Sequence, residues 1–219
     1  GLWRANNSST LDDNTVQSNT ASIDTTGHRG GIDVYMGTAS LISNTLRDNQ
    51  AVVSGLNGYG GGVSARGGAV LTVDGAQVHD NSSTFGGGIY IIDGDNSVIS
   101  GTVIYSNTAG MGGGVYVTTS DDVSLTSNQV YSNSADYGGG IYLNSSLDGI
   151  LAGNYVHHNL VWGLGGGLWL SSSDNARLTN NIVVENRIDG NGDAAGIFVF
   201  QTITAHFEHT TLARNSGAG

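Results

Sequence analysis

The chain has 219 residues, 36 of them Gly and none Pro or Cys, and a formal net charge of −11 with Arg as its only fixed cation. That charge disfavours duplex nucleic acid and anionic membrane surfaces as partners, and no apolar run is long enough to span a bilayer as a helix. With only 11% of residues charged, Asn, Ser and Thr must cover the surface, which suits an extracellular or cell-surface setting.

Internal repeats run through the whole chain. The first coil opens at Gly1 and brings Leu2, Leu11, Val16 and Asn19; the second, from Gly31, brings Ile32, Leu41, Leu46 and Asn49. Gly62 opens a third with Val63, Val73, Val78 and Asn81, and Gly88 a fourth with Ile89, Ile99, Ile104 and Asn107. The fifth, from Gly114, holds Val115, Leu125, Val130 and Asn133; the sixth, from Gly140, holds Ile141, Leu151, Val156 and Asn159. Gly167 starts the seventh (Leu168, Leu178, Val183, Asn186) and Gly196 the eighth (Ile197, Phe207, Leu212, Asn215).

Within a coil, apolar and polar residues alternate over short runs such as Ile141-Tyr142-Leu143, and Gly, Asn and Asp interrupt them. Period two with frequent breaks means short strands joined by corners. The spacing predicts an all-β, right-handed parallel β-helix (solenoid): one domain over 1–219, about eight coils with three short strands each, and no evident end caps. Frequent glycine and the lack of a 3.6-residue apolar stripe exclude helices. The Asn column is expected to sit at a left-handed corner and to hydrogen-bond from coil to coil. A looser column of Asn14, Asn44, Gly75, Gly101, Asn128, Asn154 and Asn181 is expected to mark another corner.

The glycine motif GG[GA][IV], with an aliphatic-x-x-Asn tetrapeptide at Val78 to Asn81, Val130 to Asn133 and Val156 to Asn159, resembles the repeats of polymorphic outer-membrane proteins. Those are bacterial surface β-helices of autotransporter type, and the resemblance implies a secreted, adhesive solenoid. This chain departs from that family where Phe is preferred before x-x-Asn.

Both ends read as the middle of a repeat. Joining Gly219 to Gly1 gives an in-register coil, so head-to-tail self-association into a filament is expected, as is its alternative, a segment of a longer solenoid. The contacts would be Leu2, Leu11 and Val16 at one end against Ile197, Phe207 and Leu212 at the other.

Three sets of side chains are candidates for binding. Trp3, Tyr90, Tyr116, Tyr142, Trp169 and Phe198 share one column, which alternation points outward, as a ring stack or as a contact for glycans or a lateral partner. Asp95, Asp121, Asp148 and Asp174 form an acidic column, either solvated or bridged by Ca²⁺, the cation such oxygen ligands suit. Asp189, Asn191 and Asp193, with Gly190 and Gly192 between them, have the opening spacing of a Ca²⁺ loop but lack its downstream Glu. Catalysis has the thinnest basis: Glu185, Arg187 and Asp189, with His157 and His158 a coil earlier, for a polysaccharide lyase or glycoside hydrolase. His79, Tyr105, Tyr131 and His157 read as a surface ladder. The sequence therefore favours a non-enzymatic structural solenoid of a fibre or cell surface, with a glycan-binding adhesin as the alternative, and requires no cofactor.

Overall fold

The computed structural model describes residues 8–21, 29–51 and 57–217; Leu2 and Trp3 lie outside them. The chain winds as a solenoid in which every strand pairs in parallel with its counterpart one coil away. Among the described residues the second to eighth coils each contribute four strands where three were expected. In the fifth coil they are Val115–Thr118, Ser124–Thr126, Gln129–Tyr131 and Ser134–Tyr137. Stacked, they build sheets I to IV in that order, with seven, eight, eight and seven strands among the described residues. Sheet IV escapes a reading by alternation because several of its strands are only two residues long, as at Ser82–Ser83 and Leu160–Val161.

The aliphatic columns face inward, as their alternation requires. Leu125, Val130 and Ile141 belong to one continuous buried cluster running the length of the solenoid. Each such side chain contributes at most roughly 1.5–3 kcal/mol. The glycine motif makes the corner between sheets IV and I. Gly112 has φ +64°, and a Cβ on Gly113 would lie 2.5 Å from the Gly139 carbonyl oxygen of the adjacent coil.

The Asn column forms a buried amide ladder at the corner between sheets III and IV. Asn133 Nδ2 donates to Asn159 Oδ1 and to the Ile104 carbonyl, both at 3.0 Å. Its own Oδ1 accepts from the backbone N–H and Nδ2 of Asn107, again at 3.0 Å. The left-handed residue, however, is the one before each Asn: Ser132, His158 and Glu185 have φ of 53°, 54° and 57°. Turning the preceding residue outward frees the Asn side chain to point in and bond along the axis.

The looser column splits into two registers. Asn128, Asn154 and Asn181 make a second amide ladder, with 3.0 Å bonds from one to the next. Gly75 and Gly101 instead stand one place earlier, at φ +60° and +53°, alongside Ser127. Ala76 and Thr102 take the ladder positions in those coils; the Thr102 N–H donates to Asn128 Oδ1 at 3.0 Å.

Candidate functional site

The column holding Tyr90, Tyr116, Tyr142 and Trp169 forms a ring stack that is buried. These rings are 5–9% exposed and form a second buried cluster, with Tyr59, Phe85, Met111, Leu164 and Phe198 packed on it. The left-handed glycine at the sheet IV corner folds the residue before it back over the rings, so the outward face of sheet I is roofed by its own chain. Ring centroids lie 5.7, 4.8 and 4.4 Å apart along Tyr90, Tyr116, Tyr142 and Trp169. Burial, with Tyr116 beside it, pushes the Tyr142 hydroxyl up to about 12. Where the column is broken, Asp33 is fully buried, accepting from Ser64 Oγ at 2.7 Å and from Arg66 Nε and Nη2 at 3.1 and 2.9 Å.

The acidic column is broken in the sixth coil. Asp95 accepts the Asp121 N–H, and Asp121 accepts the Leu147 N–H, both at 2.8 Å; Asp174 accepts the Ile203 N–H at 2.5 Å. Leu147 therefore occupies the column, and Asp148 stands one place later with φ +56°, as Asp122 does. The carboxylates cap backbone donors of the adjacent coil. Among the described residues, no group of three or more His, Cys, Asp or Glu is placed to hold a metal ion.

The catalytic cluster separates into two sets of ion pairs. Glu185 Oε2 meets His158 Nε2 at 3.2 Å and its Oε1 meets Arg214 Nη2 at 2.6 Å, whereas Asp189 pairs with Arg187. In the enlarged corner after Asp189, a Cβ on Gly190 or Gly192 would strike the carbonyl oxygens of Trp162 and Gly163. Close backbone approach explains those glycines without a cation.

The outer face of sheet III carries the ladder expected there. His79, Tyr105, Tyr131 and His157 stack with centroids 4.5, 5.1 and 5.0 Å apart and planes within 7°. Stacked face to face, they cover one another's faces and turn polar edges to solvent. Tyr155 packs on His157 at 4.0 Å, and His157 Nδ1 lies 2.8 Å from His158 Nδ1. Partial burial and the neighbouring His158 lower the His157 imidazole, against a smaller opposing effect of Glu185.

Exposed rings outside the columns named from the sequence include Tyr137, Tyr155, Trp162 and Phe200. Trp162 follows Val161 at the end of a sheet IV strand and is 56% exposed. Its N–H donates to the Ala135 carbonyl at 3.2 Å, the next N–H, of Gly163, donates to Asp136, and the Asp189 N–H donates to Val161. Trp162 thus stands between coil-aligned Asp136 and Asp189, with exposed Tyr137 at the adjoining position. Among the described residues no aromatic ring stacks on it. The available signal was a break in pattern: Gly110 and Asp136 hold this position in the two preceding coils.

The profile of the family described as "Right handed beta helix region" matches residues 1–212. The chain belongs to this right-handed β-helix family. A search of curated proteins found no match. Among solved structures, the Dettilon tailspike protein is similar over 96% of this chain and 54% of its own, with 12% identity and a TM-score of 0.51. A double mutant of the periplasmic alginate epimerase AlgG is similar over 97% of this chain and 56% of its own, with 15% identity and a TM-score of 0.57. This chain therefore spans little more than half the length of either structure, and the likeness is one of fold. No helix among the described residues is long and apolar enough to cross a membrane.

In the sixth and seventh coils of this β-helix, His158 and Glu185 pair at the corner between sheets III and IV, while the exposed Trp162 and Asp189 are aligned at the far end of the sheet IV strands. A flat ring flanked by carboxylates can receive the apolar face of a sugar while its hydroxyls donate to oxygen.

Proposed function

We propose that this β-helix is a rigid, non-catalytic part of an extracellular or periplasm-exposed protein that binds carbohydrate around Trp162, Tyr137, Asp136 and Asp189. The exposed Trp162 ring between two coil-aligned carboxylates carries the reading. It is supported by the resemblance of the repeats to bacterial surface β-helices. The net charge of −11 disfavours polyanionic sugars, so neutral oligosaccharides are the ligand class. Titration with a panel of neutral oligosaccharides, followed by tryptophan fluorescence and ligand-observed NMR, tests it. Trp162→Ala is expected to weaken binding about tenfold, corresponding to about 1.4 kcal/mol of lost ring contact, with thermal unfolding unchanged. Equal binding by Trp162→Ala, or no binding across the panel, would overturn the proposal; turnover of a sugar would overturn its non-catalytic part.

A further inference from the structure

The corner between sheets III and IV in the sixth coil carries an arrangement that neither the fold nor carbohydrate binding requires. His157 ends a sheet III strand, and His158 follows it with φ +54°. This turn brings the two Nδ1 atoms to 2.8 Å while the rings stand at 85° to each other. Both outer nitrogens are already held: His157 Nε2 lies 3.3 Å from the Gln129 side-chain amide, and His158 Nε2 lies 3.2 Å from Glu185 Oε2. Arg214 fixes the other Glu185 oxygen at 2.6 Å.

We infer that His157 and His158 bind a divalent transition cation of tetragonal preference, Cu²⁺ before Ni²⁺, through their Nδ1 atoms. The donor spacing selects the geometry. Two nitrogens 2.8 Å apart, each about 2.0 Å from a metal, subtend about 90°, the cis angle of a square-planar or octahedral ion; a tetrahedral ion such as Zn²⁺ needs about 3.3 Å. Imidazole donors exclude Ca²⁺, which takes oxygen. The outer partners supply what ligating histidines require, a group that holds the second nitrogen and fixes the ring. No third His, Cys, Asp or Glu joins the pair among the described residues, so water fills the remaining positions.

The protons balance. Without a cation, Gln129 Nε2 donates to His157 Nε2, His157 Nδ1–H donates to His158 Nδ1, and His158 Nε2–H donates to Glu185. On binding, the His157 proton moves from Nδ1 to Nε2 and the Gln129 amide turns so that its oxygen accepts it. Both Nδ1 lone pairs then face the metal and no proton is released.

Titrating the full chain with CuCl₂, read by calorimetry and by electron paramagnetic resonance, is expected to show one equivalent bound with the signature of two nitrogen ligands. NiCl₂ is expected to compete better than CaCl₂. His157→Gln and His158→Asn should each weaken Cu²⁺ binding at least tenfold; Asn suits the left-handed backbone at 158, so that variant keeps the fold. Glu185→Gln should weaken it about tenfold through the outer hydrogen bond alone. A His206→Gln, His209→Gln double variant, altering the other exposed histidine pair, should bind as the wild type does. Unchanged binding in His158→Asn, loss of binding in the His206/His209 variant, or no Cu²⁺ binding by the wild type would each overturn the assignment.

Discussion

Gly113→Ala is expected to lower stability by about 3 kcal/mol or more. The new Cβ would sit 2.5 Å from the Gly139 oxygen and 2.7 Å from the Ser134 oxygen. Both are backbone atoms committed to the ladder between adjacent coils, so no side chain can swing away and the coils themselves must part. Gly68→Ala is the matching control. Gly68 has φ +77° but meets nothing within 4 Å, so its cost is the left-handed backbone alone, about 1 kcal/mol. Urea unfolding of the two variants separates crowding from strain. Equal midpoints would show that close approach of the coils does not explain the glycine motif.

Asn133→Ala is expected to cost about 3 kcal/mol. The substitution removes two donated and two accepted hydrogen bonds inside the ladder. It leaves the Asn107 backbone N–H without its amide partner in a fully buried place, and an unsatisfied buried group costs about 1–3 kcal/mol. Thermal unfolding should fall well below that of Gln129→Ala, an outward change on the strand just before it. A melting temperature within a degree or two of wild type would mean that the ladder follows from the fold and does not hold it.

The coil architecture was legible because each residue type recurs at coil spacing: Val78, Ile104, Val130, Val156 and Val183 fall in one inward column of sheet III and pair as neighbours. The Asn ladder was legible for the same reason. Its turn was placed one residue late, since Asn and the left-handed residue before it recur together and spacing cannot separate them. The acidic column failed through counting: Asp95, Asp121 and Asp174 stand seven residues after their glycines, but Asp148 stands eight after Gly140.

The cover over the aromatic column was not legible because alternation gives only the side of the sheet, not whether another segment covers that side. The cover comes from Phe85 and Met111, whose direction depends on the left-handed glycine that follows. Trp162 was overlooked because it belongs to no column. A site in a repeat protein shows itself as a departure from the repeat.

The amide ladder has a consequence for how such a molecule changes length. Asn81, Asn107 and Asn133 each bond to the same two kinds of partner, the neighbouring amide and an aliphatic carbonyl. Removing the 26 residues from one Asn to the next would set Asn81 against Asn133 with every bond type restored. Whole coils are thus interchangeable parts, gained or lost by duplication and excision without redesign, while a gain or loss of one residue inside a strand disrupts every column at once. Selection can adjust the reach of this molecule in steps of one coil and vary its corners independently of that reach.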